Sequence, residues 1–187
     1  NTNQIIEHTP ALRESFPNRV KELNHYLAQA YFLRALVHHQ LCLTYAQNYG
    51  FTDNASHLGI PIVTKPLAVN ATPERNTVAK VYAQIISDLN ASLDLYDQSR
   101  TSTYLPSYMA SKALLARVYL YKGDWAKAAE HASDVIDFVP LTARADYVSM
   151  FHIMKLPATT EIIYALNGKS ISSRECYKMY WHQAANA

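Results

Sequence analysis

Asn48, Tyr49, Phe51, Asp53, Asn54 and His57 stand close together in the chain, and their types could recognise a polar ligand. Aromatic rings beside amides, a carboxylate and an imidazole are what a sugar site requires. The ring covers the apolar C–H face while the polar side chains exchange hydrogen bonds with the hydroxyls. An ordinary solvated loop carries the same inventory, so both readings stand at this level. Patterns that break or transfer bonds are missing: there is no HExxH, no glycine-rich phosphate loop and no GxSxG. His38 and His39 are consecutive, so on a helix they point about 100° apart and cannot chelate as an i,i+4 pair does. Asp94 and Asp97 read as a solvated helix face rather than as a pair for glycoside hydrolysis. The two cysteines, Cys42 and Cys176, lie far apart without CxxC spacing, so neither a zinc site nor a disulfide framework is encoded. Cys42 reads as a small core residue. The expectation is a protein without metal, cofactor or catalytic residues.

Composition narrows the classes further. The chain has 187 residues, enough for a substantial core, and 49% of them are hydrophobic. Only four glycines against fourteen tyrosines argue for a packed helical protein rather than a disordered one. A formal charge of +2 is too small to draw nucleic acid or a membrane surface by field alone. No apolar run has the length of a membrane span, and no signal sequence is evident. The opening Asn1-Thr2-Asn3, without methionine, suggests a piece of a longer protein.

The elements that would position these residues follow from periodicity. Residues 1–16 are polar and read as a turn or frayed lead-in. From about Asn18 to Tyr49, the series Val20, Leu23, Leu27, Ala30, Arg34, Val37, Leu41, Tyr45 advances by threes and fours along one helix face, and Gly50 ends it. Arg34 on that face needs a carboxylate partner, for which Asp88 is the best candidate, and it reads as an internal clamp rather than a ligand contact. Residues 51–76 form a long, proline-bearing connection of the kind that is disproportionately functional. Thr77 caps a second helix whose face is Val78, Val81, Tyr82, Ile85, Leu89, Leu93 and Tyr96, running to about Asp97. A polar linker, 98–106, leads to a hairpin over 107–140 that turns at Gly123 and Asp124. Leu115, Ala116, Tyr119, Ala128 and Pro140 fall at tetratricopeptide offsets, although Lys112 and Ala132 replace that repeat's usual aromatics. Ala113, Ala116, Ala128, Ala129 and Ala132 would let the two backbones approach, with Trp125, Val135 and Ile136 as the larger buried surface. Residues 161–166 are β-prone, a short strand or an extended segment laid against the helices. The aromatics Tyr177, Tyr180 and Trp181 read as exposed, in a loop or in the stump of a missing region. The fold class expected is all-α, tetratricopeptide-like hairpins at about 18–98 and 107–140 in a single domain over 1–187.

Several strings in this order resemble one family. They are residues 30–35 (Ala-Tyr-Phe-Leu-Arg-Ala), Tyr49-Gly50, 59–63 (Gly-Ile-Pro-Ile-Val), 75–78 (Arg-Asn-Thr-Val), 82–89 (Tyr-Ala-Gln-Ile-Ile-Ser-Asp-Leu), 113–121 with 123–125, and 161–164 (Glu-Ile-Ile-Tyr). Together they resemble the SusD/RagB family of nutrient-binding outer-membrane lipoproteins. The resemblance implies an α-helical protein built on tetratricopeptide-like hairpins and facing the cell exterior. It implies a lipid anchor on an N-terminal cysteine, not present in this chain, as its only membrane attachment. It implies a partner, a SusC-like TonB-dependent transporter, and capture of a glycan, or in some members a peptide, without chemistry. Family members are much longer, with a large C-terminal portion absent here. The family also places a ligand-facing loop near the Tyr-Gly end of the first helix, which adds weight to Tyr49, Asp53, Asn54 and His57. A protein–protein scaffold built on the concave repeat surface is the alternative.

Overall fold

The computed structural model describes residues 2–97, 102–150 and 161–165. Its helices are α1 (Thr2–Ser15), α2 (Val20–Tyr45), α3 (Val78–Leu95), α4 (Tyr108–Lys122), α5 (Trp125–Phe138) and the short α6 (Tyr147–Met150). Among the described residues there is no strand, only an isolated antiparallel bridge between Leu58 and Thr77. Successive helices pack on one another, α1 on α2, α2 on α3, α3 on α4 and α4 on α5. The protein is therefore all-α, as its periodicity and glycine scarcity lead one to expect.

Three expectations need correcting. The first concerns residues 1–16, of which Thr2–Ser15 form a helix rather than an irregular lead-in, despite Pro10 in its interior. A polar helix of this length would be marginal alone, and tertiary contacts hold it. Asn3 donates from Nδ2 to the carbonyls of Val63 (3.0 Å) and Lys65 (3.2 Å), and its Oδ1 accepts from Arg34.

The second concerns the face of α2. Leu27, Ala30 and Arg34 are buried as the pattern requires, but Val37, Leu41 and Tyr45 are exposed. The buried positions in that half are Ala35, His38, His39 and Cys42, roughly a quarter turn round the helix. Two buried imidazoles masked the true face, because a hydropathy pattern counts histidine as polar. The helix also stops at Tyr45, and Tyr49–Phe51 form a separate single turn of 3₁₀ helix, so Gly50 does not end α2.

The third concerns α5. Val135 is buried in a small cluster with Met109 and Val139, yet Trp125 and Ile136 are 67% and 68% exposed. One hairpin covers one face of α5. Trp125, Ala129, Ala132 and Ile136 repeat at helical spacing along a neighbouring face that α4 does not reach.

Elsewhere local chemistry and structure agree. Thr77, Ser107 and Asp124 accept hydrogen bonds from the backbone N–H three residues on, capping α3, α4 and α5. Gly123 takes φ of +82° between α4 and α5, a conformation that costs a side-chain-bearing residue about 1–2 kcal/mol. The main core joins Phe32, Ala35 and Cys42 of α2 to Val78, Val81, Tyr82, Ile85 and Leu89 of α3 and to Leu114, Leu115 and Val118 of α4. Inside it, the Ser92 hydroxyl bonds Ser111 Oγ at 2.8 Å, so two small polar side chains satisfy each other where α3 and α4 approach. Residues 161–165 are extended and laid against the helices: Ala165 N–H reaches Thr103 O (2.9 Å) and Tyr164 meets Phe32 edge-on. Leu166, Cys176, Tyr177, Tyr180 and Trp181 lie outside the described residues.

Candidate functional site

After α2 the chain makes a compact turn, 46–58, that Thr52 organises. Its hydroxyl lies 2.8 Å from His57 Nδ1 and accepts the His57 backbone N–H at 3.2 Å. His57 Nε2 lies 3.3 Å from the Gln47 carbonyl, which needs a donor, so the neutral ring protonated on Nε2 satisfies all three contacts. Asn54 and Ala55 both have positive φ, +58° and +50°. Asparagine tolerates that region, whereas the fully buried Ala55 holds it at a cost of order 1 kcal/mol, offset by packing.

The five expected ligand residues thus fall into two sets. His57 spends both ring nitrogens inside the turn. Tyr49 is half-buried, with its ring edge-on to Tyr82 at a centroid distance of 4.9 Å and the Lys122 ammonium 5.4 Å from its own centroid. Tyr49 thus braces the turn against α3 and α4, and His57 braces it from within. Asn48, Asp53 and Asn54 are exposed. Phe51, 59% exposed and braced edge-on by His57 at 5.3 Å, is the aromatic surface the turn offers to solvent. Sequence reasoning put Tyr49 ahead of Phe51; nothing local distinguishes them, since the difference lies in which ring meets Tyr82.

The neck of the turn is fastened rather than loose. Gly59 N–H donates to Asn76 O (2.7 Å), Asn76 N–H to Ile60 O (3.0 Å) and Val78 N–H to His57 O (3.0 Å). Arg75, not singled out for this role from the sequence, donates from Nε to Gly59 O (2.6 Å) and from Nη2 to Tyr45 O (3.3 Å) and Leu58 O (3.2 Å). Beyond the neck, Val63 N–H donates to His38 Nε2 at 3.3 Å.

Behind this connection sits the Arg34 clamp. Arg34 donates from Nε and Nη2 to the two Asp88 oxygens at 2.9 and 2.7 Å, and from Nη1 to Asn3 Oδ1 and Thr64 O, both at 3.1 Å. Gln84 Nε2 adds a third bond to Asp88 at 2.8 Å. One guanidinium therefore joins α1, α2, α3 and the connection. Burial pushes both helical histidines toward the neutral form, His39 down to about 4 with the Arg117 charge adding to the effect. Burial likewise raises the Cys42 thiol, which leaves it unreactive. No group of His, Cys, Asp and Glu among the described residues could hold a metal ion, and no described helix is long and apolar enough to cross a membrane.

The SusD-like family described as "starch-binding associating with outer membrane" matches residues 2–120. The chain belongs to the SusD/RagB family. It is 30% identical over 168 residues to SusD-like protein P2 of Formosa agariphila, covering 88% of this chain and 31% of that protein. A crystal structure of a SusD superfamily protein from Bacteroides thetaiotaomicron is 31% identical with a TM-score of 0.64, over 80% of this chain and 34% of the other. A crystal structure described as a "Putative sugar binding protein" from Bacteroides vulgatus is 26% identical with a TM-score of 0.75, over 88% of this chain and 37% of the other. This SusD-like chain thus spans about a third of the length of the relatives it matches.

Proposed function

We propose that this SusD-like chain acts in the non-catalytic capture of a glycan at the outer membrane, for delivery to a SusC-like TonB-dependent transporter, as one helical domain facing outward on a lipid-anchored protein. Family membership supports the class of function, and one local observation supports the place: a braced turn on a rigid helical frame that presents Phe51 beside the free side chains of Asn48, Asp53 and Asn54. A ring held edge-on by His57 loses little freedom when a sugar stacks on it, so its contact area is available for binding. Tyr49 and His57 act beneath, as braces. The test is calorimetric titration of the full-length protein with neutral oligosaccharides and, separately, with peptides. Phe51→Ala is expected to weaken glycan binding by about 1–2 kcal/mol, while Tyr49→Ala lowers thermal stability as well. Heat with peptides alone would transfer the reading to peptide capture. No heat with either, alongside retention of a β-barrel partner, would leave a scaffold. Shortened oligosaccharides after prolonged incubation would overturn the non-catalytic reading.

A further inference from the structure

The outward face of α2 and the two arms of the connection enclose a cleft of about 460 Å³. Leu41 and Tyr45, one helical turn apart, form one wall. Pro61 and Val63 on the outgoing arm, with Pro73 on the returning arm, form the other. Arg75 closes one end. Among the described residues Arg75 has only carbonyl oxygens as partners and no ion pair. Its Nε and Nη2 are taken, and its Nη1 makes no hydrogen bond among the described residues. A full positive charge with a free N–H pair therefore stands at the end of an apolar cleft whose aromatic wall, Tyr45, is 68% exposed.

We propose that this cleft is a subsite for a sugar residue bearing a carboxylate, a uronic acid. The pyranose C–H face would lie on the Tyr45 ring and between the prolines, and the carboxylate would accept from Arg75 Nη1. The fit is specific on both counts. A simple anion would leave the apolar walls unused, and a neutral sugar would make no charge-assisted hydrogen bond to the free N–H pair. Arg75 also bonds the carbonyls at both ends of the 46–58 turn, so an acidic residue held here is adjacent to the surface that carries Phe51. The inference rests on the glycan reading above and names a substrate class for it.

Titration of the full-length protein with trisaccharides of galacturonate, glucuronate and mannuronate, each beside its methyl ester, tests the proposal. At least one uronate is expected to bind tenfold or more tightly than its ester, and to weaken as salt is raised. Arg75→Gln is expected to abolish that preference, and Tyr45→Ala, at an exposed position, is expected to weaken uronate binding by tenfold or more. Tyr45→Ala guards against the chance that loss of Arg75 merely loosens the neck. Equal binding of uronate and ester, or uronate binding unchanged in Tyr45→Ala, overturns the subsite while leaving neutral-glycan capture at Phe51 standing. Absence of binding to every glycan, acidic and neutral, overturns both.

Discussion

Removing one partner of the Arg34–Asp88 pair should reveal which charge the interior cannot neutralise. The two side chains are 8% and 2% exposed, so stranding either one is expected to cost about 3–5 kcal/mol at neutral pH. The two losses differ in kind. In Asp88→Leu the guanidinium keeps its bonds to Asn3 and Thr64 but cannot shed its charge at any relevant pH. In Arg34→Met the carboxylate keeps only Gln84, and α1 and the connection lose a tie each worth about 1 kcal/mol. That site can take up a proton, however, on neighbouring His38, which burial holds toward neutral in the parent and which in the variant loses the lowering effect of Arg34 while keeping the raising effect of Asp88. The parent loses stability below pH 6.5, where its unfolded chain takes up a proton on His38 that the fold resists; a variant charged there in the fold is spared that loss, so its deficit relative to the parent shrinks as pH falls. The limiting slope is roughly 1.4 kcal/mol per pH unit below about pH 6.5. The Asp88→Leu deficit should stay flat over that range. The double variant should lose less than the sum of the two singles by at least about 2 kcal/mol. Urea unfolding followed by helical circular dichroism at pH 7, 6 and 5 reads all of these. Additive losses, or two deficits that run parallel with pH, would refute the argument that these side chains act as one buried pair.

Two further substitutions probe the frame around the turn. His39, held neutral with its pKa near 4 against 6.5 when free, gives stability that is complete above pH 6.5 and lost as pH falls toward 4. That loss amounts to about 3 kcal/mol in all. His39→Phe, which keeps the edge contacts to Tyr82 and Tyr121, should flatten the fall in unfolding free energy between pH 7 and 4.5, and an unchanged slope would show that the ring is charged in the fold. At the neck, a Cβ added to Gly59 would lie 3.1 Å from both the Asn76 carbonyl and Val81 Cγ2 and 3.2 Å from Val78 Cα. Gly59→Ala should therefore cost about 1–3 kcal/mol and speed hydrogen exchange at the Asn76 and Val78 amides, whereas an unaffected melting temperature would mean the bridge yields freely.

The frame was more legible from sequence than the surface it carries, for a physical reason that particular residues make plain. A helix cap is local chemistry, so Thr77, Ser107, Gly123 and Asp124 announce their roles within one turn. A buried arginine is legible too, because so few partners are possible: among the acids at core spacing on α3, Asp88 was the one that fitted, and it is the residue Arg34 meets. Where a signal depends on which of two similar groups reaches a distant neighbour, the sequence is silent. Tyr49 and Phe51 differ in exposure because Tyr82 and Lys122 cover the first. Trp125 reads as core by its type, and is exposed because α4 covers a different face of α5. Polar side chains with buried duties mislead in the opposite direction, as His38 and His39 turned the apparent face of α2 and Asn3 ordered a segment that looked irregular. That bias has a consequence for the site. Polar residues in the connection are the ones a sequence reading nominates as ligand contacts, yet the structure spends His57 and Thr52 on holding the turn and leaves Phe51 outward. In a helical frame with enlarged connections, a polar residue close in sequence to a helix end is thus better tested first for a bond within the turn. The aromatic ring left facing solvent is the better first choice for the ligand.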